Sequence, residues 1–244
     1  MMVPLTRHGV RELLIGSVVL SLLAVGLGFV FAPLALVVLP AIIFLFAFFR
    51  DPERAVPSEQ HAVVSPADGT VSDITELEFD PLIRGPAVRV GIFLSVFNVH
   101  VNRSPCDGRV LSIEYKKGKF INAMRHDEAS DENESNTIVL AEPNGDRPIA
   151  VIKQIVGLIA RRIVCTTTVG EQISRGQRIG MIKFGSRTEV TLAKFLDPKV
   201  TVKVGQSVRG AADVIALLNN PIHTTAQAPA NEELEPLIGR GTPA

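Results

Sequence analysis

The chain has 244 residues, 46% of them hydrophobic, which is enough to bury a core and still supply membrane-seeking segments. Lysine plus arginine equals aspartate plus glutamate at 25 each, so no net positive charge favours a polyanion, and nucleic acid is not an expected partner. Cys106 and Cys165 lie far apart without CxxC spacing, so neither a disulfide framework nor a metal site is predicted.

The first element is an apolar run, from Leu13 to Phe49, that contains no charged residue. As a single helix it would be about 55 Å long, nearly twice the roughly 30 Å of hydrocarbon that one span crosses. Proline in the sequence Phe-Ala-Pro at 31–33 favours a break there. The run therefore predicts a membrane anchor within residues 1–50, made of two transmembrane helices at about 13–31 and 34–49.

Basic residues flank this anchor on both sides: Arg7 and Arg11 precede it, and Arg50 and Arg54 follow it. The positive-inside rule then places both ends in the cytoplasm. We expect the chain in the inner cell membrane, with the remaining domain facing the cytoplasm. One long tilted span and a re-entrant hairpin stay open as alternatives, and both would also hold that domain at the membrane surface.

Residues 51–219 change to short β-branched runs separated by Gly, Pro, Asn and Asp, a pattern typical of strands. They predict a mainly β domain, α+β when the helical anchor is included, with a sandwich or barrel-like sheet. The polar segment from about Phe120 to Asn136 predicts an exposed loop, and residues 220–244 predict a flexible tail. The predicted strands are Gly69–Ile74, Val88–Leu94, Arg109–Tyr115, Asn136–Ala141, Ile149–Val156, Ile163–Thr168, Arg178–Ile182 and Glu189–Leu192.

Residues 169–180, with the sequence VGEQISRGQRIG, carry glycines spaced between short apolar positions. The run resembles one found in biotinyl and lipoyl-like barrel-sandwich domains, and this resemblance predicts that architecture for the β domain. Those carrier domains modify a lysine within Met-Lys-Met or Asp-Lys-Ala. Neither tripeptide occurs here, so the resemblance concerns the fold and not the carrier function.

Three segments put a reactive group among turn residues or at a strand end, where function tends to lie. Asp68 offers a carboxylate, His100 an imidazole and Ser186 a hydroxyl, the three groups with which proteins make a serine nucleophilic. Each residue alone also has an ordinary interpretation, as a turn or core residue, and the sequence does not show that they meet. The segments are SPADG, FNVHVNRSP and KFGSR.

Taken together and in order, the segments resemble the phosphatidylserine decarboxylase family in its short, pyruvoyl-dependent form. The resemblance implies a carboxy-lyase of phospholipid biosynthesis that converts phosphatidylserine to phosphatidylethanolamine. Longer members carry two histidines three residues apart and the tetrapeptide Leu-Gly-Ser-Thr, whereas this chain has His100 alone and Phe-Gly-Ser-Arg at 184–187. The matching stretches, between about Arg50 and Val208, are FFRDPER, SPADGTV, VFNVHVNRSPCDGRV, QIVGLIARRI and GMIKFGSRTEV.

In that family a Gly–Ser peptide bond is the site of self-processing. The resemblance therefore implies that Ser186 attacks the carbonyl of Gly185 and that the chain divides into residues 1–185 and 186–244. It further implies that Ser186 becomes a covalent pyruvoyl cofactor, whose carbonyl accepts electrons as the substrate carboxylate leaves. Glycine before the serine suits this chemistry, because it lets the hydroxyl approach the carbonyl closely.

The same resemblance assigns roles to His100 and Asp68. His100 would be the base that activates the serine, and Asp68 would orient and charge-stabilise that imidazole. Whether His100 also donates the proton after decarboxylation stays open. Arg161 or Arg162 would bind the lipid phosphate, since guanidinium matches phosphate geometry; a salt bridge on the sheet surface is the alternative.

Three rival interpretations remain. A non-enzymatic, membrane-tethered lipoyl-like barrel that acts as an adaptor would share the anchor and the glycine-spaced run. A cell-wall metallopeptidase would need paired histidines such as His-x-His, which His100 lacks. Another head group would keep the chemistry and change the substrate. The expected partners are a membrane phospholipid and the bilayer, and the sequence leaves open whether the chain forms a homo-oligomer.

Overall fold

The computed structural model describes residues 4–121, 130–158, 162–183 and 186–222. Its N-terminal part is helical and apolar. Helix α1 ends just before Phe31, whose extended backbone (φ −159°, ψ 114°) interrupts the helix, and a proline enters the next helical segment. The predicted break at 31–33 is confirmed. The segments are a 3-10 turn Arg7–Gly9, α1 Val10–Val30, a 3-10 helix Ala32–Val38 and α2 Leu39–Phe48.

Residues 7–30 form a helix that is long and apolar enough to cross a membrane, by length and composition. The second apolar segment, residues 32–48, falls short of that length, so the predicted pair of spans is not confirmed; within the described residues there is one candidate span. The two segments pack on each other, with Gly16 of α1 beneath Leu45 of α2.

The rest of the described chain is mainly β, as predicted. All eight predicted strands are present, some longer or shorter by a few residues, because β-branched alternation marks half-buried strands reliably. The strands are β1 Ala62–Val64, β2 Gly69–Asp80, β3 Gly85–Leu94, β4 Val101–Arg103, β5 Gly108–Lys116, β6 Ser135–Ala141, β7 Pro148–Val156, β8 Arg162–Cys165, β9 Gln172–Ile173, β10 Arg178–Lys183, β11 Ser186–Ala193, β12 Pro198–Val200, β13 Ser207–Val208 and β14 Val214–Leu218.

In the described residues these strands form three antiparallel sheets. The largest is a curled, half-barrel sheet in the order β13-β2-β3-β11-β7-β6-β5-β9, and its buried face, together with the β1-β14-β12 sheet, encloses the main core. The third sheet, β4-β10-β8, lies next to the anchor. Strand β11 is central to the large sheet, since β3 pairs along one edge of it and β7 along the other.

The prediction of an exposed loop at 120–136 was wrong at the C-terminal end of that segment. Ser130 and Asn133 are buried, and the Asn133 amide donates to the carbonyl of Val156 over 2.8 Å. The segment is polar because its side chains satisfy buried backbone groups, not because it is in water. Residues 122–129 of the predicted loop and 223–244 of the predicted tail lie outside the described residues.

Candidate active site

Ser186 is the first residue of β11, and its backbone pairs with Leu94 of β3 and Val156 of β7. The side chain is fully buried, and Oγ has no hydrogen-bond partner within the described parts of the chain. A buried hydroxyl without a partner costs about 1–3 kcal/mol and is rare enough to need an explanation. The predicted nucleophile therefore has its hydrogen-bonding capacity unused. Gly185 lies outside the described residues.

His100 immediately precedes β4 and is fully buried against α2, with its ring centroid 4.4 Å from that of Phe48. Its Nδ1 is 2.9 Å from the carbonyl oxygen of Asn98. A carbonyl only accepts, so Nδ1 carries the proton and Nε2 keeps its lone pair. Burial lowers the pKa of His100 to about 4. The imidazole is consequently neutral at pH 7 and able to take a proton.

A backbone hydrogen bond holds His100 next to β10, the strand that precedes the Gly–Ser bond in the sequence. The carbonyl of His100 accepts from the N–H of Ile182 in β10, over 3.2 Å, and β10 leads directly toward Ser186. Further along, the Asn102 amide donates to Thr188 Oγ1 over 3.0 Å. Asn102 lies in β4, two residues after His100, and Thr188 lies in β11, two residues after Ser186, so each offset is one strand repeat. The candidate base and the candidate nucleophile thus lie at the starts of two strands of different sheets, β4 and β11, which this side-chain hydrogen bond joins.

A chain of neutral amides extends from this contact into the sheet. Gln154 donates to Asn102 Oδ1 over 2.9 Å and accepts from Asn136 over 2.9 Å, and all of these side chains are buried. Fully satisfied buried networks of this kind fix the positions of their members. Sequence reasoning missed this network. Its members lie on four different strands, with Asn102 in β4, Asn136 in β6, Gln154 in β7 and Thr188 in β11, so no local pattern in the sequence links them.

Asp68, the third candidate, is also buried but has other partners. Its Oδ2 lies 2.8 Å from Arg54 Nη2, and its Oδ1 accepts from the N–H of Gly210 over 2.7 Å. Burial raises the pKa of Asp68, although these two partners and other nearby arginines act in the opposite direction. The imidazole Nδ1 of His100 faces the carbonyl of Asn98, so this nitrogen does not bond to Asp68.

The charge of Arg50 acts on both of these groups. Its guanidinium donates to the carbonyls of Ala47 and Phe97, each over 2.6 Å. Its charge is close enough to favour the ionised form of Asp68 and the neutral form of His100. Residues at the anchor exit therefore influence both titratable candidates.

Of the two arginines proposed for phosphate binding, Arg161 lies outside the described residues. Arg162 begins β8, is exposed, and pairs through its backbone with Lys183 of β10. Arg162 thus lies at the solvent-facing edge of the sheet that contains β10, the strand that precedes the Gly–Ser bond in the sequence.

The opposite face of β11 carries an ionic network that sequence reasoning did not anticipate. Arg187 is fully buried; its Nε donates to Glu189 over 2.9 Å, and its Nη atoms donate to Ser72 and Asp73. Gly91, on the neighbouring strand β3, leaves space for the Arg187 guanidinium, because a Cβ at Gly91 would lie 2.1 Å from Arg187 Nη2. The backbone that follows the predicted nucleophile is thus held by buried, paired charges.

Comparison with known proteins agrees with the resemblance drawn from the motifs. The sequence pattern described as phosphatidylserine decarboxylase matches residues 42–216, from α2 into β14. The chain belongs to the phosphatidylserine decarboxylase family. The matched region of this family member includes Asp68, His100 and Ser186.

Three relatives, each named phosphatidylserine decarboxylase proenzyme, illustrate the similarity. The protein from Rhodopirellula baltica is 44% identical over 213 residues, which is 87% of this chain and 88% of the relative. The protein from Cupriavidus taiwanensis is 42% identical over 218 residues, 88% of this chain and 97% of the relative. The protein from Ralstonia nicotianae is 45% identical over 177 residues, which is 72% of this chain and 80% of the relative. Such similarity over most of each chain confirms the family resemblance.

Proposed function

We propose that this chain is a self-cleaving, pyruvoyl-dependent enzyme that decarboxylates phosphatidylserine to phosphatidylethanolamine. One observation carries the proposal: the hydroxyl of Ser186 is buried and lacks a hydrogen-bond partner in the described chain, at the position where the family's motif places the nucleophile. A reactive role accounts for a buried hydroxyl that packing alone would not favour. The names of the relatives supply the substrate, and the word proenzyme in those names fits self-cleavage.

Self-cleavage would begin with attack of Ser186 Oγ on the carbonyl carbon of Gly185. The peptide C–N bond breaks as the C–O bond forms, so the amide becomes an ester and the nitrogen of residue 186 becomes an amine. Loss of the α-proton of residue 186 and cleavage of its Cβ–Oγ bond then release residues 1–185 with a carboxylate terminus and leave residue 186 as a dehydroalanine with a free amine. Addition of water and loss of ammonia at the new terminus of residues 186–244 leaves the pyruvoyl group.

His100 is the base in this proposal. Its neutral ring, with the proton on Nδ1 and the lone pair on Nε2, is the form that accepts the serine proton. Two contacts support the assignment: its backbone bond to Ile182 and the Asn102–Thr188 bond, which ties its strand to that of Ser186. A base with a pKa of about 4 is weak, so its value lies in being unprotonated and in place over the whole physiological pH range.

Asp68 acts in the proposal through charge and not through direct contact with the imidazole. Its carboxylate holds Arg54 and lies near Arg50, whose charge acts on the pKa of His100. By partly neutralising this arginine pair, Asp68 would moderate the positive potential around the imidazole.

For the decarboxylation itself, the chain supplies an enclosed apolar position at residue 186, flanked by Leu94 and Val156 and fully buried. The pyruvoyl group supplies the electron sink that standard side chains lack. We assign binding of the lipid phosphate to Arg161 or Arg162. The exposed position of Arg162, on the sheet that leads to the Gly–Ser bond, supports this assignment.

The proposal for membrane attachment is a double span with both ends in the cytoplasm, joined to a barrel-sandwich domain at the inner cell membrane. The packing of α2 and its preceding 3-10 helix on α1 supports a hairpin. Gly170 and Gly176, with φ of +88° and +80°, support the turn-rich arrangement of a barrel-sandwich. Labelling Leu34→Cys in intact cells with a membrane-impermeant maleimide would test the hairpin, because a double span exposes that loop outside, whereas a re-entrant hairpin or one long tilted span keeps it within the membrane.

The deciding experiment is an intact mass spectrum of the protein purified in mild detergent, alongside Ser186→Ala and the exposed control Ser207→Ala. We expect two fragments, the smaller with an N-terminal carbonyl, from the native chain and from Ser207→Ala, and a single intact chain from Ser186→Ala. The cleaved protein should also release carbon dioxide from phosphatidylserine in mixed micelles. An intact native chain with no decarboxylation would refute the proposal and favour the adaptor interpretation.

A further inference from the structure

The membrane anchor contacts the cleavage segment directly, through an ion pair. Glu12, in the first turn of α1, lies 2.6 Å through Oε1 from Nζ of Lys183, the last residue of β10. The Lys183 side chain is only 6% exposed, and a buried ammonium group is stabilised by a paired carboxylate such as that of Glu12. Lys183 precedes Gly185 by two residues and sits 171 positions from Glu12 in sequence. The start of the anchor thus holds the residue that leads into the scissile bond.

An apolar cluster reinforces the same junction. Leu13 of α1 packs with Phe48 and Phe49, at the end of α2, and with Met181 of β10. The fit is close, because a Cβ on Gly9 would lie 2.1 Å from the ring of Phe49. The anchor therefore contacts β10 at two positions, Met181 and Lys183, which lie one strand repeat apart.

The two ends of the anchor are also fastened to each other and to the β domain. The N–H of Thr6 donates to the carbonyl of Phe49 over 2.9 Å, and the N–H of Asp51 donates to that of Pro4 over 2.7 Å. The Asp51 carboxylate in turn lies 3.0 Å from Arg103 of β4 and 2.7 Å from Arg178 of β10. Because these bonds fix the junction between the anchor and the β domain, a change in the anchor is transmitted to β4 and β10.

The cluster reaches the proposed base as well. The ring of Phe48 lies on that of His100, with centroids 4.4 Å apart and planes inclined by 36°. Phe48 is 1% exposed, so the aromatic contact is part of the packed junction. The anchor consequently contacts both groups of the proposed cleavage site. Phe48 packs on the imidazole of His100, and Glu12 pairs with Lys183 in the strand that precedes the scissile bond.

We propose that the N-terminal anchor is a functional part of the self-cleavage site, in which Glu12 is a positioning residue that holds Lys183 and hence the Gly185–Ser186 bond near His100. The inference rests on the proposed function, because it concerns that same cleavage. Without Glu12, the buried ammonium group of Lys183 would turn toward water and draw the end of β10 away. Cleavage would then proceed only when the anchor is docked on the β domain.

The test measures the cleavage rate by pulse-chase in cells that express the full chain, and separately kcat and KM of the cleaved product. We expect Glu12→Gln to slow cleavage on the order of tenfold, since small misplacements of reacting groups have effects of this size or larger. Once cleaved, the variant should keep its kcat for phosphatidylserine. The exchanged pair, Glu12→Lys with Lys183→Glu, should recover most of the rate. Glu76→Gln, which breaks the Lys194–Glu76 pair on the domain surface, is the matched control and should cleave normally.

Native-like cleavage in Glu12→Gln, beside a native chain that cleaves, would overturn the positioning role and leave the proposed function intact. Failure of the exchanged pair to recover any rate would overturn the role of the ion pair. If Glu12→Gln does not fold, Lys183→Met decides instead, because an apolar side chain tolerates this buried position: a native rate refutes the inference and a slow rate supports it. A native chain that never cleaves would refute the proposed function itself.

Discussion

The two faces of β11 are both buried, yet they are built from different chemistry. One face carries Ser186 and Thr188 beside neutral amides and a neutral imidazole. The other carries Arg187 and Glu189 within a network of paired charges. Because successive residues of a strand point to opposite sides, a single strand presents both environments without mixing them.

The difference indicates that one face of β11 serves the proposed reaction and the other stabilises the strand. The hydrogen bonds beside the proposed nucleophile join neutral side chains, Asn102 to Thr188 and Gln154 to Asn102, while the charge of Arg50 acts on the pKa of His100. On the other face the ion pairs of Arg187 fix the strand. Burial there raises the pKa of Asp73, but Arg187, together with Ser72 and Arg89, lowers it overall. Changes on the first face should therefore alter the reaction, and changes on the second should alter stability.

The largest effect is expected on the reactive face, at His100. Replacement by glutamine keeps polarity and approximate size but removes the base, so His100→Gln should slow self-cleavage roughly 10²- to 10⁴-fold. Pulse-chase of the precursor measures this rate. His61→Asn, at an exposed histidine, should cleave normally. If His100→Gln cleaves within threefold of the native rate, another group is the base.

On the charged face, Arg187→Met should lower the free energy of unfolding by about 3–5 kcal/mol, because it leaves buried carboxylates without their partner. Urea unfolding in detergent measures this, with every chain in the uncleavable Ser186→Ala background. Arg209→Met, which breaks the exposed Arg209–Asp213 pair, should cost no more than about 1 kcal/mol. Equal losses for the two variants would remove the distinction between the faces.

Acidification should affect stability through His100. Its folded pKa of about 4 lies below the ordinary 6.5, so the unfolded chain binds its proton first as pH falls. This contribution is complete above about pH 6.5 and is lost down to about pH 4, amounting to about 3 kcal/mol. Unfolding of Ser186→Ala with and without His100→Gln at several pH values isolates it. An unchanged pH slope in the double variant would contradict a buried neutral imidazole.

The smallest effect concerns Thr188. Thr188→Val preserves shape but leaves the Asn102 amide without its acceptor, so we expect a loss of about 1–2 kcal/mol and a modestly slower cleavage. The exposed hydroxyl of Thr201, which donates to Val214, provides the control Thr201→Val, with a smaller expected loss. A large loss of cleavage with little loss of stability would assign Thr188 a more direct part in the reaction.

Local patterns in the sequence determined the apolar anchor, its break at 31–33, the eight main strands and the motifs around Asp68, His100 and Ser186. These features depend on the conformational preferences and side-chain periodicity of neighbouring residues, which one stretch of chain contains in full. The short strands β1 and β4 gave no such signal, since three residues have too little periodicity and pair only because the surrounding fold aligns them.

The tertiary structure alone decided which of these residues meet. It set Asp68 against Arg54, joined Asn102 to Thr188 across 86 positions and Glu12 to Lys183 across 171, and buried Ser130 and Asn133 in a segment that looked solvent-exposed. The reason is physical. Polar side chains meet their buried partners only after the apolar strands have packed. The free energy of that packing depends on the whole chain, so it cannot be inferred from a short stretch of sequence.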